Sequence, residues 1–277
     1  MADGKVILLD IGGTFIKCSD GREIPIDSAG CRENIALSLH EAVYGAPDFS
    51  SEDIPSAGIR IAAAVPGPFD YSTGQFLMKH KFASVYGEYF ADIIGLPREN
   101  CRFLHDVNAM LYGEMTQGNG RGYDRVALLT IGTGLGFSMS LDGKILCNEL
   151  GSPAVSIFKS PCRDGILEDY ASKRGVWKLY GSDSLSVKEL ARLAFCGDVC
   201  AQEAFWTMGR IIGEHTAPIM AEYGIECLLF GGQISRSWQL FAPAVSRCFA
   251  CAGLDTRTSP ISDFDNATFN GLKSIQI

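Results

Sequence analysis

The chain has 277 residues, of which 47% are hydrophobic and 20% charged, a balance typical of a globular protein with a substantial buried core. Its net charge of −8 argues against a general surface for nucleic acid or anionic membranes, although a local basic pocket for a nucleotide is compatible with it. No apolar run approaches the ~20 residues that span a bilayer, and residues 1–5 show no signal-peptide pattern, so we expect a cytoplasmic protein without nucleic-acid or membrane partners.

The first predicted element is a hairpin of two strands, at residues 5–10 and 14–19. The first apolar run ends in four residues that suit a tight turn: Asp10, Gly12, Gly13 and Thr14. Successive turn amides can form a nest for phosphate, and an acid beside such a nest suits a metal-bound nucleotide phosphate. An ordinary glycine turn explains the same residues equally well.

Further elements complete a first α/β region. Strands are predicted at residues 22–26, 57–64, 75–78 and 101–105, helices at 33–44, 86–94 and 107–116, and a polar loop at 51–56. Asp106 then falls between a strand and a helix, where α/β folds carry chemistry. Its carboxylate there can act as a general base or as a helix N-cap.

The hairpin design recurs at residues 126–143, with Thr133 and Gly134 at the bend. Its glycines are not a dinucleotide-binding fingerprint, because a strand-type alternation follows them where that fingerprint needs a helix. No P-loop motif occurs in the chain either. Two copies of one hairpin, each opening its own half of the chain, indicate a duplicated nucleotide-binding fold.

The later part of the chain becomes largely helical after residue 165. It has a predicted helix at 200–222, a strand at 226–230 and a helix at 236–250. We therefore expect an α/β protein of two lobes, at residues 1–107 and 108–277. The final helix is a candidate to pack back against the first lobe.

Seven segments form an ordered series of motifs over most of the chain. They are Asp10-Ile-Gly-Gly-Thr-Phe-Ile-Lys17, Ala64-Val-Pro-Gly-Pro68 with Asp70 and Thr73-Gly74, His105-Asp-Val-Asn-Ala109 with Gly113-Glu114, Ile131-Gly-Thr-Gly-Leu-Gly136 with Leu141-Asp-Gly143, Glu149-Leu-Gly151, Leu167-Glu-Asp-Tyr-Ala-Ser172, and Gly231-Gly-Gln-Ile-Ser235. In this order they resemble the ROK family of sugar kinases, repressors and related open reading frames. The resemblance implies a two-lobed, actin-like ATPase (ribonuclease H-like) fold with a duplicated ββ-hairpin phosphate-binding core.

The resemblance also implies ATP-dependent phosphorylation of a hexose, commonly at the 6-hydroxyl, with Asp106 as general base. It implies Mg²⁺ organised by Asp10, through water, and adenosine packed against Gly231 and Gly232. The implied phosphate ligands are Gly12, Gly13, Thr14, Lys17, Thr133 and Gly134, although Lys17 can equally be an exposed strand lysine. The implied sugar ligands are Gly67, His105, Asp106, Glu149, Ser152 and Glu168.

Several positions depart from the family's pattern. His105 stands where the family usually has Asn, and Ser152 where it often has His. The segment 159–168 lacks the family's zinc cysteines, with Cys162 out of register, so we expect no zinc site. No Asn occurs at residues 79–82, where many members carry one for the sugar. These changes leave the identity of the sugar open.

Glucose is the family's default substrate, and N-acetylmannosamine, N-acetylglucosamine, fructose, allose and a disaccharide glucoside are the alternatives. A non-enzymatic sugar-binding regulator and a kinase of degraded activity are further alternatives, although only five residues precede Val6 and a helix-turn-helix domain is not expected. The residues themselves do not indicate an oligomeric state, and a homodimer is suggested only by the resemblance, because family members are often dimers. The chain's ten scattered cysteines favour buried free thiols over a metal site.

Overall fold

The computed structural model describes residues 5–45 and 58–275, so the predicted loop at 51–56 and the first residue of the predicted strand at 57–64 lie outside the described residues. The chain divides into two compact units. The first comprises Met1–Gly113, Cys147–Ser152 and Thr268–Ile277, and the second comprises Glu114–Leu146 and Pro153–Ala267. The first unit thus extends past residue 107 and includes two later segments.

The first unit is built on a five-stranded sheet. Its elements are β1 (Val6–Ile11), β2 (Phe15–Cys18), β3 (Glu23–Pro25), α1 (Arg32–Tyr44), β4 (Arg60–Val65), β5 (Phe69–Asp70), β6 (Gln75–Phe76), α2 (Phe90–Ile94), β7 (Cys101–His105) and most of α3 (Asp106–Gln117). The strand order is β3-β2-β1-β4-β7, with β2 antiparallel to its neighbours and β4 parallel to β1 and β7. Both β1 and β4 lie between two neighbours in the sheet, and most of their side chains are buried, as is typical of strands covered on both faces.

The second unit repeats this sheet. Its elements are β8 (Val126–Ile131), β9 (Leu135–Leu141), β10 (Lys144–Ile145), β11 (Pro161–Cys162), β12 (Gly165–Ile166), α4 (Lys173–Tyr180), α5 (Val187–Phe195), α6 (Val199–Tyr223), β13 (Cys227–Gly231), α7 (Ala242–Cys251) and β14 (Arg257–Pro260). The order β10-β9-β8-β13-β14 has the same succession of antiparallel and parallel pairs as the first sheet. The predicted α/β fold with a duplicated, hairpin-led core is therefore confirmed.

The last helix, α8 (Ala267–Ser274), packs within the first unit. Its Phe269 and Leu272 are buried in one cluster with Leu8 of β1 and Ala64 of β4. A Cβ on Gly271 would overlap the carbonyl oxygen of Ala109 in α3, so only glycine allows the two helices to approach this closely.

Two predicted helices were wrong in extent. The one predicted at 86–94 is reduced to α2, because Gly87 has a φ of 83°, outside the right-handed helical region. The one predicted at 236–250 is divided into a 3-10 helix at Ile234–Leu240, in which Ser237 is non-helical, and α7. Among the described residues, no helix combines the length and apolarity that crossing a membrane requires.

Candidate active site

The β1–β2 turn of the first unit carries the first group of predicted phosphate ligands. Asp10, near the end of β1, pairs across the strands with the exposed Lys17 of β2. The Gly12 N–H donates to the Phe15 carbonyl oxygen at 2.9 Å, and a Cβ on Gly12 would lie only 2.9 Å from that oxygen. Any other residue at position 12 would therefore force the backbone of the turn to move.

The carboxyl of Asp10 is a weaker acid than usual. Its pKa is raised to about 6, first by burial and then by the negative charge of Asp106, while Lys17 acts in the opposite direction. A divalent cation relieves such crowding of carboxylates. Among the described residues no group of three or more His, Cys, Asp or Glu side chains could hold a metal. Mg²⁺ nevertheless fits Asp10, because one or two carboxylates suffice when waters and substrate phosphates supply its other ligands.

Asp106 stands where β7 ends and α3 begins, with 42% of its side chain exposed. Its Oδ1 accepts a hydrogen bond from Val107 N–H at 2.8 Å and lies 2.8 Å from His105 Nδ1. Burial is the largest influence on the pKa of Asp106 and raises it, but His105, the Val107 amide and the charge of Lys81 together lower it below its usual value. The carboxylate is therefore ionised at neutral pH and accessible to a proton donor.

Three of the predicted sugar ligands meet in the first unit. A Cβ on Gly67 would lie 3.5 Å from both His105 Nε2 and Ser152 Oγ, so these two side chains flank the Gly67 backbone. The Tyr71 ring lies beside them, 5.8 Å between centroids from the imidazole of His105, and its hydroxyl donates to Val65 O at 2.8 Å. The two residues that replace the family's Asn and His thus lie close to each other.

The segment Cys147–Ser152, which carries Glu149 and Ser152, belongs to the first unit and is held there by hydrogen bonds to its backbone carbonyls. The buried Asn108 of α3 donates from Nδ2 to Gly151 O at 3.1 Å, and Tyr71 N–H donates to Leu150 O at 3.0 Å. Glu149 itself is exposed. Asn108 belongs to the third motif, two positions after Asp106, but the motif alone gives no sign that this residue anchors the segment.

The β8–β9 turn of the second unit has a different neighbour. The carboxylate of Glu168 accepts a hydrogen bond from Leu135 N–H at 2.9 Å, and a Cβ on Gly134 would lie 2.8 Å from Glu168 Oε2. The same carboxylate contacts Arg174 at 3.3 Å. The structure therefore places Glu168 against the second Gly/Thr turn, a contact that its position in the sequence did not suggest.

A cavity of about 630 Å³ in the second unit opens beside Gly132 and Thr133. Arg236, on the 3-10 helix after β13, lines this cavity. It forms an ion pair with Asp265, donates from Nε to Gln233 Oε1 at 3.1 Å, and lies over the ring of Phe264. The preceding Gly232 has a φ of 81°, and a Cβ there would lie 2.5 Å from Ile131 O, so glycine is required. Gly231 and Gly232 thus bring this segment onto the end of β8.

The segment aligned with the family's zinc motif folds as the β11–β12 hairpin. Cys162 is buried in the hydrophobic core of the second unit, and the hairpin is fixed by Asp164, which bonds with Tyr170 and with Lys178. All ten cysteines are free thiols, but only four are buried, so the expectation of burial was wrong for the other six. Cys248 is half-buried, and the exposed ones are Cys31, Cys147, Cys196, Cys200 and Cys251.

A model of the ROK family matches residues 6–270. This chain belongs to the ROK family. The glucokinase of Thermotoga maritima is 26% identical to it in an alignment 278 residues long that covers 86% of this chain and 85% of that protein. The N-acetylgalactosamine kinase AgaK of Shewanella sp. (strain ANA-3) is 27% identical in an alignment 201 residues long that covers 64% of this chain and 65% of the kinase, slightly less than two thirds of its length.

Solved structures agree with this ROK-family assignment in fold. The crystal structure of a ROK family glucokinase from Streptomyces griseus, in complex with glucose and AMPPNP, matches with a TM-score of 0.73 at 23% identity, covering 96% of this chain and 97% of that chain. The fold of the chain is therefore the actin-like fold of ROK proteins. Two cations that were not predicted site residues lie beside the Gly/Thr turns: Lys81 near Gly13 and Arg236 in the cavity next to Gly132 and Thr133.

Proposed function

We propose that the chain is an ATP-dependent sugar kinase that transfers the γ-phosphate to a hexose hydroxyl, in the simplest case the 6-hydroxyl. One observation carries the proposal: the Asp106 carboxylate is ionised, partly exposed and oriented by His105 and the Val107 amide at the end of a sheet strand. Its relatives in the ROK family include a glucokinase and an N-acetylgalactosamine kinase, which supports the same reaction class.

In the proposed reaction, Asp106 accepts the proton of the sugar hydroxyl while that oxygen attacks the γ-phosphorus and the bond to the β-phosphate oxygen breaks. His105 Nδ1, 2.8 Å from Oδ1, orients the carboxylate so that Oδ2 is the proton acceptor. Because the transition state of phosphoryl transfer is loose, positioning and charge matter more than a strong base. A carboxylate of lowered pKa is therefore sufficient.

We assign Mg²⁺ to Asp10, through water, because burial and then the negative charge of Asp106 disfavour its ionised form, which a bound cation would stabilise. Bound Mg²⁺ supplies charge neutralisation at the β- and γ-phosphates. The backbone amides of the turns suit phosphate oxygens. We assign the phosphates to Gly12, Gly13, Thr14 and Lys17 in the first unit and to Thr133 and Gly134 in the second.

We assign the adenosine to the cavity of the second unit, because its lining combines backbone of the Gly/Thr turn with a planar guanidinium. Arg236 is fixed on one face by Phe264, and a guanidinium presents a flat surface on which a base can stack. Gly231 and Gly232 bring the chain close enough to the end of β8 to form one side of this site.

We assign the sugar to Gly67, His105, Glu149, Ser152 and Glu168, with glucose, N-acetylmannosamine and N-acetylglucosamine as candidates. Carboxylates suit sugar hydroxyls because each offers several strong acceptor sites. An imidazole and a small hydroxyl replace the family's amide and imidazole, so a standard hexose would meet different hydrogen-bond partners. Because one relative is an N-acetylgalactosamine kinase, N-acetylhexosamines are the leading alternative to glucose.

A coupled assay of ADP release over hexoses and N-acetylhexosamines tests the proposal. We expect magnesium-dependent turnover with at least one sugar, and the Asp106→Asn variant should lose roughly 10²–10⁴-fold in kcat while its affinity for ATP stays near that of wild type. A zinc chelator should leave turnover unchanged. Folded protein that binds ATP and a sugar but releases no ADP would instead identify a sugar-binding regulator.

A further inference from the structure

Lys81 lies beside the first phosphate turn. A Cβ placed on Gly13 would lie 3.6 Å from Lys81 Cε and 3.7 Å from its Nζ, so the ammonium group stands next to the turn backbone. Within the described parts of the chain the ammonium makes no hydrogen bond or ion pair, and the residue is exposed. A cation therefore stands unpaired at the point where we assign the phosphates of ATP.

The backbone that carries Lys81 is fixed to the turn by two successive hydrogen bonds. Ser28 N–H donates to Gly13 O at 3.2 Å, and Phe82 N–H donates to Ser28 O at 2.6 Å. Phe82 has a φ of 53°, in the left-handed region that a bulky residue rarely adopts. Its ring is fully buried against Phe76, which holds the backbone in this conformation. Strained backbone of this kind is concentrated at functional sites.

Lys81 also acts on Asp106, the general base of the proposed reaction. Its positive charge is one of the influences that lower the pKa of that carboxyl, together with His105 and the Val107 amide. The same cation thus lies beside the turn assigned to phosphate and within electrostatic reach of the residue assigned to the proton. In the proposed reaction, the γ-phosphoryl group lies between the turn assigned to phosphate and Asp106.

We propose that Lys81 is a catalytic residue that donates from Nζ to the oxygens of the transferring phosphoryl group; this rests on the proposed kinase function. As the sugar oxygen–phosphorus bond forms and the bond to ADP breaks, the hydroxyl proton moves to Asp106 and Lys81 stays protonated. Its charge offsets the negative charge on the equatorial oxygens, which fixed cations stabilise most effectively in a site prepared for them.

An anionic sugar is the rival explanation for an unpaired lysine in this unit. The contact with Gly13 favours the phosphate, because the β1–β2 turn is the element whose amides can form an anion nest. The two explanations predict different kinetics. A phosphoryl contact made in the transition state lowers kcat when it is lost, whereas a contact to the bound sugar raises the KM for the sugar.

The test compares Lys81→Ala with Lys79→Ala, an exposed lysine two positions earlier whose ammonium lies over the Tyr86 ring at 5.3 Å. With the sugar that gives the highest turnover, Lys81→Ala should lose roughly 10²-fold in kcat with the KM for the sugar within about twofold of wild type. Lys79→Ala should keep the wild-type kcat. Equal thermal unfolding midpoints for both variants would show that they are folded.

A second readout is the acid limb of the kcat/KM pH profile. The charged and titratable groups that interact with Asp106 are Asp10, Tyr71, His105 and Lys81. Because Lys81 lowers the pKa of Asp106, its removal should move the acid limb to higher pH, and Lys81→Arg, which keeps the charge, should not move it.

The outcomes separate this inference from the function on which it rests. An active wild type with an unchanged kcat in Lys81→Ala overturns the inference and leaves the kinase function standing. A raised KM for the sugar with an unchanged kcat also overturns it, in favour of an anionic sugar. A folded wild type that binds ATP but phosphorylates no sugar overturns the kinase function, and the role of Lys81 falls with it.

Discussion

The two Gly/Thr turns share a backbone plan but differ in length and in the charges around them. In the first hairpin Ile11 pairs with Ile16, whereas in the second Ile131 pairs with Leu135, so the first turn is one residue longer. The first turn follows Asp10 and has Lys81 beside it, and the second follows Thr130 and has Glu168 beside it. Duplication supplied the strands, while the chemistry came from side chains that differ between the copies.

Within this comparison, the largest effect is expected from the difference between Asp10 and Thr130. Asp10 comes directly before Ile11 in the first hairpin, and Thr130 comes directly before Ile131 in the second. Asp10→Asn should lower kcat by roughly 10²–10³-fold at fixed magnesium, because the ligand assigned to the metal loses its charge. The matched Thr130→Ala should change kcat by less than about threefold. Steady-state assays over a magnesium series measure both, and an Asp10→Asn variant with normal magnesium dependence would contradict the assignment.

The raised pKa of Asp10 predicts that the same change stabilises the protein without metal. With a pKa of about 6 in the folded state against an ordinary value of 3.8, the folded state is penalised for the ionised carboxyl at pH values above about 6. Asp10→Asn should therefore raise the free energy of unfolding at pH 7.5 in a chelator. That gain should shrink as the pH falls from about 6 towards 3.8.

Urea denaturation at several pH values measures this gain. A gain that is constant with pH, or a loss of stability at pH 7.5, would show that Asp10 is not the crowded carboxylate described above. The combination of lost activity and increased stability would distinguish a functional carboxylate from a structural one.

A smaller effect is expected in the cavity of the second unit. Arg236→Ala should raise the KM for ATP roughly 5- to 10-fold, as the loss of one stacking cation does, and leave kcat within about twofold. Arg192→Ala, at the end of α5, is a matched control that removes an arginine of the same unit outside this cavity. Isothermal titration with ATP checks the result, and equal affinities for both variants would exclude Arg236 from the nucleotide site.

The smallest effects compare Gly12 with Gly132, the first residues of the two turns. A Cβ on Gly12 would press on the Phe15 carbonyl, whereas a Cβ on Gly132 would meet nothing within 4 Å. Gly12→Ala should therefore cost about 1–3 kcal/mol of unfolding free energy, and Gly132→Ala less than about 0.5 kcal/mol. Chemical denaturation of the two variants measures the difference, and equal costs would mean that the two turns are equally tight.

The inner strands β1, β4, β8 and β13 were predictable because they are apolar runs of five or six residues. The edge strand β14, Arg257–Pro260, was not predicted, because its short polar sequence carries no strand pattern. The hairpin turns were predictable because glycine and threonine between two strands leave few alternatives. The helix predicted at 236–250 failed for a physical reason: its apolar spacing continues through Ser237, but the chain bends there and restarts at Ala242. Periodicity alone does not register a local break of this kind.

Local residue patterns in a fixed order were enough to indicate the family, the duplicated hairpin core and the candidate base Asp106. The contact of Glu168 with the second turn, the position of His105 and Ser152 beside Gly67 and the approach of Lys81 to Gly13 are visible only in the folded chain. The two partners of each contact are far apart in the chain, so the contacts form only when packing brings distant segments together. The position of Lys81 depends in addition on the left-handed backbone of its neighbour Phe82.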